Sequence, residues 1–191
     1  MRIGKGTPLR LPTKSKAKAQ DRYKTVLQRS LTCITKTAIW YTALTGIEKG
    51  EFVLLLSESP VKLYRLNGDP VFLSATQNFH LEKDHRFVGE WKVKTDRYEY
   101  TLSFSPSLSP ELLAWHWHPS TKVEPHLHAD LQAPNDRSLH KVHLPTGRVA
   151  FERIIECLIK DLGVRPARDN WEGVLSDSQK RFSTFQTWKS S

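Results

Sequence analysis

The sequence predicts an α+β fold, in which one helix precedes an antiparallel sheet and further helices follow it. Apolar residues recur at helical spacing near both ends of the chain, whereas the middle consists of short alternating runs bounded by Pro, Gly, Asn and Asp. Of the 191 residues, 38% are hydrophobic and 10% are aromatic, which suits a packed core. We therefore expect a single domain over residues 21–191, preceded by a basic flexible arm over residues 1–20.

The first element is predicted to be a helix over residues 20–44, because apolar side chains there recur every three or four positions. Gly46 is a typical residue just beyond a helix end. The predicted buried stripe consists of Tyr23, Val26, Leu27, Leu31, Ile34, Ala38 and Tyr41.

A meander of about five to seven antiparallel strands is predicted next. Asn67-Gly68 predicts a hairpin turn, because both residues tolerate positive φ, and Thr95-Asp96 is interpreted as a second hairpin turn. The segment 119–125 is short enough to join its neighbouring strands as a hairpin. The strand candidates lie at residues 51–58, 61–66, 70–74, 87–94, 97–103, 112–118, 125–131 and 139–144.

The chain is predicted to end in helices. The apolar spacing over residues 149–162 predicts an amphipathic helix, with Thr146 as its cap and with Gly163 and Pro166 ending it. The run Asp169-Asn170-Trp171-Glu172 has capping-box spacing and predicts a short final helix.

The positive charge of the chain lies at its N-terminal end. Residues 1–30 contain nine basic residues and one acidic residue, whereas the other 161 residues contain 20 basic and 19 acidic ones, and the formal charge is +9. Because clusters of Lys and Arg release counterions from phosphate backbones, the arm is predicted to contact nucleic acid through Arg10, Lys14, Lys16 and Lys18. A solvated leader, or a tether for an anionic protein partner, is the alternative.

Composition excludes several classes of protein. No run approaches the ~18 apolar residues of a membrane span. The basic N-terminus also lacks the apolar stretch of a secretory signal. Two cysteines, Cys33 and Cys157, are too few for a disulfide framework and are predicted to be buried thiols. We therefore expect a cytoplasmic protein with no membrane partner.

A histidine cluster is the most distinctive feature of the sequence. Two pairs at alternate positions, His116 with His118 and His126 with His128, would each share one face of a strand, and Asp130 would share the face of the second pair. Pairing of these two strands would place the imidazoles on one side of the sheet and tryptophans on the other. The six clustered histidines are His116, His118, His126, His128, His140 and His143.

Three interpretations of the cluster stay open. The first is a polar face without chemistry. The second is a site for a divalent metal such as zinc, because imidazole and carboxylate groups bind such ions; its ligands would be His116, His118, His128 and Asp130. The third is metal-free acid–base chemistry on a phosphodiester, because the pKa of histidine lies near neutrality; its groups would be His126, His128, His143 and, as a phosphate clamp at the following helix, Arg148.

Residues 126–188 resemble a group of small uncharacterised bacterial proteins, and the matching part covers about the last third of the chain. The resemblance implies an accessory or toxin-like bacterial gene product and carries no activity with it. It rests on His126-Leu127-His128, on Leu144-Pro145-Thr146-Gly147-Arg148, on the amphipathic helix, and on Asp161-Leu162-Gly163, Asp169-Asn170-Trp171 and Thr187-Trp188.

These observations favour a histidine-based hydrolase or nuclease that acts on nucleic acid and is toxin-like. The alternative is a non-enzymatic accessory module of a bacterial assembly, which binds nucleic acid or protein and whose histidine face is structural. A third hypothesis is a metal-binding oxidoreductase of cupin type, because His116-x-His118 followed by Glu124 resembles the first cupin motif.

Overall fold

The fold was obtained as a computed structural model that describes residues 13–43, 51–56, 58–85, 87–119, 124–131 and 139–185. Within these residues, eight strands form one antiparallel sheet, in which seven follow the order β1-β2-β4-β5-β6-β7-β8 and β3 lies beside β4. The predicted α+β class is confirmed, with its antiparallel sheet between an N-terminal helix and C-terminal helices. The strands are β1 Trp40–Ala43, β2 Glu51–Leu55, β3 Val61–Leu63, β4 Val71–Lys83, β5 Trp91–Ser103, β6 Leu113–Trp117, β7 His126–Leu131 and β8 Leu139–Pro145.

The described helices are α1 Lys16–Leu31, α2 Phe151–Lys160 and α3 Trp171–Phe185. The Ser15 hydroxyl caps α1 by accepting a hydrogen bond from the N–H of Lys18. Gly163 ends α2, as predicted: its φ of 68° lets the N–H of Val164 donate to the carbonyl of Leu158. No helix in the described ranges combines the length and the apolar character needed to cross a bilayer.

One face of the sheet packs against the helices and forms the hydrophobic core. Tyr100 and Leu102 of β5 and Trp115 of β6 lie in one buried cluster with Phe151 and Ile155 of α2. We call this side the helix-covered face. We call the opposite side the histidine face, because it carries the histidines of β6 and β7.

The first helix was predicted too long at one end and too short at the other. It begins at Lys16, so residues 16–20, which the sequence assigned to the flexible arm, are helical. It ends at Leu31 because a Thr-rich segment follows, whose β-branched residues favour extended backbone. The Gln28 side chain holds this segment by donating to the Thr37 carbonyl and accepting from the Ile39 N–H. The chain then enters β1 instead of continuing as a helix.

The predicted hairpin turn at Thr95-Asp96 is wrong. Both residues lie inside β5, whose pairing with β4 shifts register there: Asn78 pairs with Arg97, and Phe79 pairs with Thr95. Asp96 is therefore the extra residue of a β-bulge. The chain instead reverses direction between the end of β4 at Lys83 and the start of β5 at Trp91. In contrast, the predicted Asn67-Gly68 turn does connect paired strands, β3 and β4, with Gly68 at a φ of 107°.

The first turn of α2 buries an acid in the core. Glu152 is 1% exposed, and the Ser30 hydroxyl donates to its carboxylate at 3.4 Å. Burial raises the pKa of Glu152, because the ionised form loses its hydration. The other acid considered on this helix, Glu156, instead forms ion pairs with Arg153 and Lys160. The Lys160 ammonium, with hydrogen bonds from Gln179 and Arg153, lowers the pKa of Glu156 to about 2.

We expect Glu152→Gln to stabilise the protein increasingly as the pH rises. The native state binds the Glu152 proton more tightly than the unfolded state, so native stability falls as the pH rises above the unfolded pKa of about 4.3. Glutamine keeps the shape and the hydrogen bond but never ionises. Urea unfolding at about pH 4 and about pH 8 measures the difference between variant and parent, which should be larger at the higher pH.

Glu156→Gln is the matched control on the same helix. Because the native pKa of Glu156 is depressed, its ionised form stabilises the fold above the unfolded pKa and loses this effect as the pH falls towards about 2. Its removal should therefore destabilise the protein at neutral pH and matter less in acid. An effect of Glu152→Gln that does not change with pH would contradict the assignment.

Candidate metal centre

Strand alternation brings three imidazoles together on the histidine face. β6 and β7 pair antiparallel, with His116 directly opposite His126 and with Ala114 opposite His128. Since consecutive side chains of a strand point to opposite faces, the neighbouring Trp115 and Trp117 point into the core while His116 points away from it. The predicted pairing of these two strands is confirmed.

The three side chains are close enough to share one ion. The ligand atoms of His116, His126 and His128 all lie within 4.8 Å of one another. The ring centroids of His116 and His128 are 4.5 Å apart, and those of His126 and His128 are 4.8 Å apart. Zinc–nitrogen bonds of about 2.0–2.1 Å in a tetrahedral site place ligand nitrogens about 3.3 Å apart. Small rotations of the rings therefore close the site around an ion.

A backbone contact orients one of the three rings. The Nδ1 atom of His126 lies 2.7 Å from the carbonyl oxygen of Glu124. Because a carbonyl can only accept, Nδ1 carries the hydrogen, and in the neutral ring the lone pair is on Nε2. A histidine that binds metal typically donates its other N–H in this way, which fixes the tautomer and the ring orientation.

Two carboxylates that the sequence analysis missed lie beside the three histidines. Glu99 of β5 places Oε1 4.0 Å from Nε2 of His116, and Glu111, just before β6, places Oε2 3.8 Å from Nδ1 of His128. Both imidazoles are only 14% exposed, whereas Glu111 is 33% and Glu99 is 52% exposed. The signal for Glu99 was its place opposite His116 in the β5–β6 register, which requires knowledge of the strand pairing.

The remaining predicted ligands contribute less to this group. His118 lies just beyond β6, with its ring 5.7 Å from that of His116, and it is not one of the three converging residues. The backbone of β8 pairs His143 with His128, and Asp130 sits at a register shift between β7 and β8. The side chains of Asp130 and His143 lie outside the described part of the structure.

The predicted place of Arg148 beside the histidines is wrong. Its guanidinium carbon lies 3.4 Å from the ring centroid of Trp117, which belongs to the helix-covered face. The N–H of the next residue, Val149, donates to the Tyr98 hydroxyl on the same side. Thr146 does not cap α2, because its hydroxyl donates to the Gly147 carbonyl and the cap residue is Ala150. Closeness to His143 in sequence did not mean the same face of the sheet.

The predicted nucleic-acid contacts lie at the other end of β5. Arg10 is outside the described residues, whereas Lys14 precedes α1 and Lys16 and Lys18 lie in its first turn. The ammonium of Lys16 is 4.3 Å from the ring centroid of Trp91. The ammonium of Lys83 is 4.1 Å from the same centroid. We call Lys16, Lys83 and Trp91 the lysine–tryptophan patch.

Comparison with protein-family models, with curated proteins and with solved structures found no match. The resemblance of residues 126–188 to small bacterial proteins therefore stays a prediction.

We expect the full chain to bind zinc through the three converging histidines. His116→Ala, His126→Ala and His128→Ala should each weaken binding by about 100-fold or more, since the loss of groups that merely orient a ligand already costs about 10–100-fold. Isothermal titration with Zn²⁺, or the visible spectrum of bound Co²⁺, measures the affinity.

His118→Ala is the matched control, because it removes a neighbouring imidazole of the same strand region. It should change zinc affinity by no more than about threefold. Equal losses in His118→Ala and His126→Ala, or full binding by His126→Ala, would contradict the assignment of the ligands.

Proposed function

We propose that the protein is a metal-dependent hydrolase that cleaves phosphodiester bonds of nucleic acid, with its ion held by His116, His126 and His128. The observation that carries this proposal is the convergence of the three imidazoles to within 4.8 Å. Catalytic zinc sites use three protein ligands, because the fourth position is kept for water or substrate. Structural zinc sites, in contrast, are closed by four protein ligands.

The donor set favours zinc over the other common divalent ions. Imidazole nitrogens suit Zn²⁺, Cu²⁺, Fe²⁺ and Ni²⁺, whereas Mg²⁺ and Ca²⁺ prefer sites made of oxygen ligands. Of the ions that suit imidazole, zinc has no redox chemistry and is the usual ion of hydrolytic centres. Zinc is therefore the ion with which the proposal is to be tested.

Glu111 is the general base of the proposed reaction. An ion in this site supplies a Lewis acid for a phosphoryl oxygen and a bound water of lowered pKa. The Glu111 carboxylate lies 3.8 Å from His128 and is less exposed than Glu99, so it is held beside the ligand group and can take up the proton of the attacking water. Glu99 flanks the site at His116 and adds negative charge that favours the bound cation.

The lysine–tryptophan patch supports a polymeric substrate. Lys16 and Lys83 bring two positive charges to one aromatic ring, a combination that suits phosphates and stacked bases. Trp91 lies eight residues before Glu99 on β5, which corresponds to about 26 Å of strand at about 3.3 Å per residue. Trp91 pairs with Lys83 and carries Lys16 of α1, so the patch lies on the side of the sheet that α1 covers. A nucleotide chain that engages both places has to pass around the edge of the sheet, for which a mononucleotide is too short. The excess of basic residues over residues 1–30 adds to the attraction.

The proposed compartment is the cytoplasm. Both cysteines of the chain are free thiols, and Cys33 is buried, with its Sγ 3.8 Å from the carbonyl oxygen of Trp171 at the start of α3. Burial raises the pKa of the Cys33 thiol and the pKa of the Cys157 thiol, the latter to about 11. Unreactive thiols of this kind fit a reducing compartment.

We expect the zinc-loaded protein to cleave labelled single-stranded RNA or DNA, and the double variant His126→Ala/His128→Ala to lose this activity. Glu111→Gln should still bind zinc but lower kcat by about 10²–10⁴-fold, the usual contribution of general-base catalysis. Gel-resolved cleavage by protein that has been stripped with a chelator and then reloaded with zinc measures both effects.

Exposed His85 provides the control variant, and His85→Ala should cleave as the parent does. Cleavage that persists in the stripped protein or in the double variant would overturn the proposal. Nucleic-acid binding by zinc-loaded protein with no turnover would instead favour the accessory binding module.

We expect Lys16→Gln/Lys83→Gln to weaken nucleic-acid binding and to reduce its salt dependence. Each lost phosphate contact should lower the slope of log affinity against log salt by about 0.7–0.9. Fluorescence anisotropy over a range of salt concentrations measures the slope. Lys36→Gln, beyond the far end of α1, is the matched control and should leave the slope unchanged. An unchanged slope in the double variant would rule out the patch as the contact surface.

A further inference from the structure

A tryptophan is exposed on the histidine face, on the strand that ends the sheet order. Trp40 of β1 is 64% exposed, whereas Ile39 before it is 1% exposed and lies in the core. Since consecutive residues of a strand point to opposite faces, the indole of Trp40 points away from the core. One exposed aromatic residue is common on a protein surface, but this one lies in line with the proposed metal centre.

The strand register places Trp40 in one cross-strand row with the metal ligands. Residues that pair directly across an antiparallel sheet have side chains on the same face. Four strand spacings separate Trp40 from His116, which corresponds to about 19 Å at about 4.8 Å each. From β1 to β7, the row consists of Trp40, Leu55, Thr76, Glu99, His116 and His126.

Arg97 places a positive charge beside this row. It lies two residues before Glu99 on β5, on the same face of the sheet, and it is exposed. No ion pair or side-chain hydrogen bond joins Arg97 to another residue in the described ranges. The acids closest to it in sequence have other contacts: both oxygens of Asp96 lie 2.8 Å from Nδ1 of His80, and Oε1 of Glu99 lies 4.0 Å from Nε2 of His116. A guanidinium is therefore available between the indole and the metal ligands.

We infer that the histidine face binds single-stranded nucleic acid, with an unpaired base stacked on Trp40 and a phosphate held by Arg97. An exposed ring combined with a cation is the usual means of binding single strands, and stacking accepts any base because every base has a π face. The bases of a duplex are paired and stacked on one another, so the indole cannot cover them. This inference rests on the proposed function and narrows its substrate: a strand cut at the metal centre would extend along the row to Trp40.

The test measures binding of a labelled oligothymidine of about 12 nucleotides, a length within the range that single-strand binding surfaces cover. The full chain is used with a chelator present, so that no metal-dependent cleavage occurs and binding can be measured even if the protein has no hydrolytic activity. An abasic strand of the same length carries the same phosphates without bases, and it should bind to the parent at least about 5-fold more weakly. Fluorescence anisotropy measures both affinities.

Variants of Trp40 locate the stacking site. Trp40→Ala should weaken oligothymidine binding by about 5–100-fold, the usual value of one stacked base, and should leave binding of the abasic strand and of a duplex unchanged. Trp40→Phe keeps a ring and should recover most of the lost affinity. Phe104→Ala is the matched control, because Phe104 is an aromatic residue of similar exposure, at 51%, outside the row. It should bind oligothymidine as the parent does.

Arg97→Gln tests the phosphate contact separately. It should lower the slope of log affinity against log salt for oligothymidine by about 0.7, the value of one phosphate contact on a single strand. Arg153→Gln, an exposed arginine on α2, should leave the slope unchanged. An unchanged slope in Arg97→Gln would remove Arg97 from the binding surface.

Three results would overturn the inference as a whole. They are unchanged oligothymidine affinity in Trp40→Ala, equal binding of oligothymidine and the abasic strand by the parent, and equal binding of oligothymidine and polyglutamate, which would indicate an acidic protein as the partner. Loss of binding in Trp40→Ala, in a protein that shows no zinc-dependent cleavage, would support this inference and contradict the proposed hydrolase. Full binding by Trp40→Ala, in a protein that does cleave, would do the reverse.

Discussion

The register of the β6–β7 hairpin is the constraint on which the histidine site depends. A slip of one residue would send every side chain of the strand to the other face. Trp115 and Trp117 prevent such a slip, because they are only 6% and 7% exposed in the core and burial of a large apolar side chain contributes about 1.5–3 kcal/mol. The hydrophobic core therefore fixes the position of His116, although the core and the imidazole lie on opposite sides of the sheet.

The two faces of this sheet differ in chemical character. On the histidine face, nitrogen and carboxylate donors from β5, β6 and β7 converge, as a metal ion requires. On the helix-covered face, aromatic rings and the Arg148 guanidinium border a pocket. Glu152, which is buried in the first turn of α2, also lines this pocket. Strand β6 contributes alternate residues to both. The alternation of one central strand therefore determines the composition of both faces.

The features that the sequence predicted correctly are local ones. Alternation over residues 112–118 and 125–131 was enough to place the histidines on one face, because the period of a strand depends on neighbouring residues alone. Glu99 and Glu111 could not be found in this way, since they reach the site through strand pairing and through the chain path before β6. Arg148 was misplaced for the opposite reason: the sequence shows its nearness to His143 but not the chain path that carries it to Trp117.

The bulge at Asp96 determines which side chains of β5 face the core. Thr95 and Tyr98 both contact the helix-covered side, through Tyr23 and Val149, although they are three positions apart and would lie on opposite faces of a regular strand. Because of this extra residue, both halves of the 13-residue strand direct their apolar side chains to the same core. Pairing Asp96 as an ordinary strand residue, without the bulge, would turn the half from Trp91 to Thr95 over, so that Lys92 and Lys94 would face the core and Val93 would face away from it. One inserted residue thus keeps the alternation of two short segments compatible within a single long strand.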